Sequence, residues 1–145
     1  MVGIKDSSGN WDNTKAVLSN FPQLTVFPAT ESRLLEGMAL GAAGCISASA
    51  NMNIVMIRGL IDALLGKDKS AAAKQQVVSA VRLVMERVPV IAAMKAVYAG
   101  ATGAADWATV RPPLSGLDAA ALAKLQQELA AAGFDAATAL HGLPR

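Results

Sequence analysis

The chain has little of what most chemical sites are built from. Among its 145 residues there is one cysteine, Cys45, one histidine, His141, and one tyrosine, Tyr98, and aromatic residues make up 4%. A single cysteine forms no internal disulfide, which fits a reducing compartment, and a cytoplasmic protein is the resulting expectation. One histidine without cysteine or acidic partners at ligand spacing makes no metal site, so no metal is expected. Cys45 has no histidine near it in sequence and sits in an apolar run, so its thiol reads as buried and inert. Gly37, Gly41 and Gly44 do not form G-x-G-x-x-G, no G-x-x-x-x-G-K-[ST] occurs, and nucleotide binding is unsupported. Charge of one sign is scarce as well: 13 Lys and Arg stand against 11 Asp and Glu, scattered along the chain, for a net charge of +2. That lacks the clustered basic face of a nucleic-acid binder. The longest charge-free apolar stretch, Gly37 to Ala50, covers 14 residues before Asn51 and Asn53 interrupt it. A membrane helix needs about 20, so no membrane span is expected. Met1-Val2-Gly3-Ile4-Lys5 shows neither an export signal nor a myristoylation site.

What is present is apolar: 53% of the residues are hydrophobic, which excludes a disordered chain. A chain of this length buries roughly 70% of the surface it exposes when unfolded. Val2-Gly3-Ile4-Lys5 reads as a short strand ended by the turn Asp6-Ser7-Ser8-Gly9-Asn10. A helix follows, capped by Asp12 or Asn10 and stopped at Asn20-Phe21-Pro22. Leu24-Thr25-Val26-Phe27 is a second strand, ending at Pro28. Thr30-Glu31-Ser32 opens a helix with Leu34, Leu35, Met38 and Leu40 at helical spacing, stopped by Gly41, and Gly44-Cys45-Ile46-Ser47-Ala48 is a third strand. From Asn53 onward the pattern is helical: 54–65, 70–88 and 90–99, then a loop over 100–116. Asp118 caps a helix over 119–132 that Gly133 ends, and the tail to Arg145 reads as loosely held. The order β-α-β-α-β followed by four helices is that of parallel βαβ units. Three parallel strands leave open edges and too little sheet for two covered faces. Either partner chains complete the sheet, or this is the C-terminal part of a larger barrel.

A lysine closing a parallel strand is unusual, because desolvating an ammonium ion there is costly. At the C-terminal end of a barrel strand the Lys5 amine would face the pocket, and desolvation would raise the neutral fraction that attacks a carbonyl. That is Schiff-base chemistry. A surface lysine ending a short strand is the alternative reading of these residues.

The stretch Gly3-Ile4-Lys5-Asp6-Ser7-Ser8-Gly9-Asn10 closely resembles the sixth-strand segment of the dihydrodipicolinate synthase and N-acetylneuraminate lyase family of pyruvate-dependent class I aldolases. Leu40-Gly41-Ala42-Ala43-Gly44-Cys45-Ile46-Ser47-Ala48-Ser49-Ala50-Asn51 is similar to the family's seventh-helix end and eighth strand, and Val110-Arg111-Pro112-Pro113-Leu114 to its C-terminal helical segment. The resemblance implies an α/β fold: the C-terminal part of a (β/α)8 TIM barrel, strands six to eight, plus a helical extension. Residues 1–52 would be the partial barrel, and 53–145 the last barrel helix and the extension, in one structural unit. It implies a lyase in which Lys5 forms an imine with pyruvate or a related 2-oxo acid. Ser7 would be a hydroxyl contact to substrate, Ile46 would place its backbone carbonyl close to the imine, and Glu31 of Ala29-Thr30-Glu31 would reach the second substrate. Ala48 stands where the sialic-acid lyase branch has serine, which argues against that substrate. The family's paired-threonine turn and its proton-shuttling tyrosine have no counterpart here, and Tyr98 does not match the tyrosine's position. The imine nitrogen serves as electron sink, so no metal or organic cofactor is implied. The expected partners are a small 2-oxo acid and further copies of the chain, with neither nucleic acid nor membrane. The competing reading is an incomplete barrel without catalysis of its own that folds only as an assembly.

The remaining distinctive residues read as structural. Asp6 is a turn cap, because alternation points it away from the Lys5 side. The Leu, Val and Met positions between Val77 and Met94 form a packing face that a second subunit could cover. Lys95 reads as a snorkelling side chain, and Trp11 and Trp107 as anchors under loops.

Overall fold

A computed structural model describes residues 1–139. The chain is α/β with mostly helix: β1 (Gly3–Asp6), α1 (Trp11–Asn20), β2 (Thr25–Pro28), α2 (Leu34–Ala39), α3 (Ala50–Leu65), α4 (Ala71–Met85), α5 (Val90–Thr102), a 3₁₀ turn (Ala105–Ala108), α6 (Ala119–Ala131) and α7 (Ala136–Ala139). β1 and β2 pair in parallel, with Ile4 opposite Val26 and Lys5 opposite Phe27. The crossover is α1, capped by Asn10, whose side chain accepts from the amides of Asp12 and Asn13. At α6 the Asp118 carboxylate accepts from the Ala121 amide. Among the described residues no helix is long and apolar enough to cross a membrane.

Two expectations need correction. The third strand is not formed as a strand: residues 42–47 run beside β2 without a regular ladder. Ala43 N donates to Val26 O at 3.0 Å, and a parallel ladder would continue with the amide of residue 28 donating back. Residue 28 is Pro28, which has no N–H. The next bond is Ile46 N to Pro28 O at 3.1 Å, one residue later than an unbroken register gives. The extra residue is accommodated at Gly44, whose φ of +147° suits glycine. The tail after Gly133 is also not loose where it is described: Phe134 and Ala139 are buried in the largest core cluster.

One face of the sheet packs on α1, and the other carries both exposed and half-buried side chains. Ile4, Val26 and Ala42 pack with Leu18 of α1 in a small cluster. On the opposite face Lys5 is exposed and Ile46 is 46% exposed. The principal core lies among the helices, where Met52, Val81, Val84, Met85, Ala93, Val97, Leu125 and Leu129 pack together. A second cluster joins α2, α3 and α4 through Leu34, Ile57, Leu60 and Val78. Each fully buried Leu or Met there contributes about 1.5–3 kcal/mol. The apolar face between Val77 and Met94 is thus covered largely from within the chain.

Gly3 lies against its neighbour strand: a Cβ there would sit 2.7 Å from the Thr25 carbonyl oxygen. That contact is backbone, so relief requires moving β1 away from β2. Gly3→Ala is expected to destabilise the chain by about 1–3 kcal/mol, read as a lower urea midpoint. An unchanged midpoint would show that the strand pair yields freely.

Candidate functional site

The C-terminal ends of parallel strands are where the backbone stops pairing and loops can build a site. Here the ends of β1 and β2 open onto a groove of about 480 Å³, lined among others by Ser7, Thr14, Thr30, Arg33, Arg82 and Glu86. A larger cavity of about 740 Å³ lies among α5, α6 and α7, but its lining, including Val97, Leu129 and Phe134, is mainly apolar and contains none of the expected site residues.

Lys5 immediately precedes Asp6 and Ser7, two residues of the groove wall, but neither Lys5 nor Ile46 lines the groove itself. Its side chain is exposed, whereas the sequence reading has a desolvated amine. Among the described residues β1 pairs only with β2, so no strand among them walls off the lysine on its other edge. Asp6 points to the covered face. Thr14 Oγ1 donates to its Oδ2 at 2.5 Å, and Ser8 N and Asn13 Nδ2 donate to Oδ1 at 3.0 and 3.3 Å. Burial alone would raise the Asp6 carboxyl, but the hydrogen bonds from Thr14, Ser8 and Asn13 outweigh it and hold the group below the usual range. It therefore contributes stability that is present above the ordinary aspartate value and lost as pH falls through the lowered one. The turn after β1 is pinned in this way, and Ser7 is left exposed on the groove.

Glu31, expected to reach the second substrate, lies inside the chain instead of on the groove surface. It is 0% exposed and does not line the groove. Ser49 Oγ donates to its Oε1 at 2.5 Å, and Arg82 Nη1 lies 3.6 Å from its Oε2. The neighbours Thr30 and Ser32 line the groove instead. The same Arg82 Nη1 donates to Ser47 Oγ at 2.8 Å and Ser49 Oγ at 2.9 Å, while Arg82 Nε donates to Glu86 Oε1 at 2.7 Å. Gln75 holds the turn from behind: its Nε2 donates to Glu31 O at 3.0 Å, and its Oε1 accepts from Leu35 N at 2.8 Å. Sequence reasoning passed over Arg82, Ser47 and Ser49. The available signal was a cation set among Val78, Val81, Val84 and Met85 on the inward side of α4.

Trp11 is an anchor, its indole N–H donating to Glu36 Oε1 at 2.7 Å with the Arg33 guanidinium 5.3 Å from its ring centroid. Trp107 stacks on Tyr98 with ring centroids 5.0 Å apart, and the Tyr98 hydroxyl donates to Asn51 O, so Tyr98 is tied into the helical layer. Among the described residues no group of three or more His, Cys, Asp or Glu side chains could hold a metal ion. His141 lies outside the described residues.

Burial pushes the Cys45 thiol up to about 11, with the Glu31 charge adding to the effect. At pH 8 the folded chain is expected to react with a disulfide reagent about a hundredfold more slowly than the unfolded chain. Equal rates would show a thiol open to solvent.

Residues 1–132 match the dihydrodipicolinate synthetase family. A DapA-like lyase of Halobacterium salinarum, described as uncharacterized, is 35% identical over 135 residues, covering 92% of this chain and 44% of that protein. Dihydrodipicolinate synthase from Agrobacterium tumefaciens superposes with a TM-score of 0.73 at 28% identity, over 90% of this chain and 43% of that one. A prophage protein of the dihydrodipicolinic acid synthase family from E. coli K12, solved in complex with pyruvate, gives 0.76 at 22% identity over 92% and 46%. The chain thus spans less than half the length of each of these relatives. A parallel βα pair followed by helices, matched over so much of this chain and so little of theirs, is consistent with a part of a β/α barrel. The chain belongs to the dihydrodipicolinate synthetase family.

Proposed function

We propose that the chain carries strands six, seven and eight of a (β/α)8 barrel and its helical extension, and that Lys5 is the imine-forming residue of a pyruvate-dependent lyase. The observation that supports this most is the place of Lys5: at the C-terminal end of a parallel strand, exposed, and one residue before the turn whose Asp6 and Ser7 line the groove. In this reading the neutral amine attacks the 2-oxo carbon, the carbinolamine loses water, and the protonated imine draws electron density from the adjacent carbon. A methyl proton then leaves, and the enamine is the nucleophile or leaving group for carbon–carbon bond making or breaking. No further electron sink is needed. Ser7 is the proposed hydroxyl contact to substrate, and the Ile46 carbonyl the proposed neighbour of the imine. The pyruvate complex of the E. coli relative supports a 2-oxo acid as the bound partner.

The exposed Lys5 and the two-stranded sheet favour a second reading, a part-barrel that folds only as an assembly and has no catalysis of its own. The two separate on one experiment. Borohydride added with pyruvate delivers hydride to the carbon of the protonated imine, whose nitrogen already carries its proton, leaving a stable secondary amine. The lyase reading expects the intact mass to rise by one reduced pyruvate per chain. A folded chain of unchanged mass rejects it.

A further inference from the structure

We infer that Glu31 and Arg82 are positioning residues, a buried clamp through which α4 fixes the segment that carries Ile46. Three elements meet in it. Glu31 belongs to the turn after β2, Ser47 and Ser49 follow Ile46, and Arg82 projects from α4. One guanidinium nitrogen, Nη1, reaches both serine hydroxyls and lies 3.6 Å from the carboxylate, and Ser49 closes the circuit onto Glu31. Ser47, Ser49 and Glu31 are 9%, 0% and 0% exposed, so the Glu31 carboxylate is held out of water, where a charge persists only with a partner, while Arg82 reaches it from the groove edge at 19% exposure. Among the described residues Glu31 Oε2 accepts no hydrogen bond, and Arg82 Nη1 lies 3.6 Å from it.

The clamp supplies what the sheet does not. Pro28 removes a ladder bond, so the 42–47 segment is tied to β2 by only two backbone bonds, from Ala43 and Ile46. Directly after Ile46 the chain would be free to shift, and it is there that Arg82 takes hold. The inference bears on catalysis only through the proposed role of the Ile46 carbonyl, and its structural part stands apart from that reading.

The test uses the Glu31→Gln, Arg82→Met double variant, which leaves no buried charge without its counter-charge. Amide hydrogen exchange is read at Ile46, bonded to Pro28 O, and at Thr25, bonded to Val2 O, as internal reference. We expect exchange at Ile46 to rise by about tenfold or more while Thr25 stays within about twofold, and borohydride labelling of Lys5 by pyruvate to slow with little change in the half-saturating pyruvate concentration. Arg82→Lys keeps a cation near Glu31 but cannot span both serines, and the same selective rise at Ile46 is expected should the double variant not fold. Wild-type exchange at Ile46, or an equal rise at Thr25, overturns the clamp. A selective rise at Ile46 in a protein whose wild-type form pyruvate never labels would uphold the clamp and overturn the imine reading.

Discussion

Lys5→Arg is expected to abolish pyruvate trapping altogether while leaving the fold unchanged. Arginine keeps the positive charge and most of the side-chain length, but its guanidinium stays protonated at any pH the fold survives and offers no lone pair to a carbonyl. Lys5 makes no salt bridge among the described residues and its side chain is exposed, so nothing in the packing depends on the ammonium group. The two effects therefore separate: loss of labelling without loss of stability. A nucleophile that forms the covalent intermediate admits no partial substitute, and the expected loss in any turnover is more than about 1,000-fold. Retained labelling in Lys5→Arg would place the imine on another amine, and an unfolded variant would mean that Lys5 holds the sheet in a way its exposure does not show.

Arg82→Met is expected to cost about 3 kcal/mol, the lower end of the range for breaking a buried ion pair. The lower end applies because the Arg82 side chain is 19% exposed and its separation from Glu31 Oε2 is 3.6 Å, so the Coulomb attraction is moderate. The larger part of the cost is the carboxylate left behind, 0% exposed and with Ser49 as its remaining donor. Glu31→Gln is expected to cost only about 1 kcal/mol, because Arg82 retains Ser47, Ser49 and Glu86. The double variant should recover most of the Arg82→Met loss, a coupling that urea midpoints of the four proteins measure. Additive losses would mean that the two residues do not share a charge.

Much of this arrangement is legible in the sequence because it is local. Asn10 and Asp118 cap the helices that follow them, Asp6 closes the turn that its position between strand and Ser8 announces, and the glycine at 133 ends α6 with a φ of +84°. What is not legible is non-local. Strand propensity over Gly44–Ala48 says nothing of the missing N–H at Pro28, sixteen or more residues earlier, which breaks the ladder the segment would join. Glu31 lies beside two groove residues in sequence, yet its carboxylate turns inward to an arginine 51 positions on. The helical spacing of α4 shows that Arg82 can meet Glu86 at i+4, but not that its other nitrogen reaches the turn after β2. The resemblance carries Lys5 to its place at the end of β1. It is blind to exposure, which depends on which strands flank β1.

The central claim is that Lys5 is the amine that takes the 2-oxo acid. Its most direct test is peptide mass mapping of the chain after reaction with pyruvate and borohydride. The reduced adduct is predicted on the peptide containing Lys5 alone, with Lys15, Lys95 and the other lysines unmodified. An adduct spread over the exposed lysines, one confined to another lysine, or none on the folded chain would contradict it.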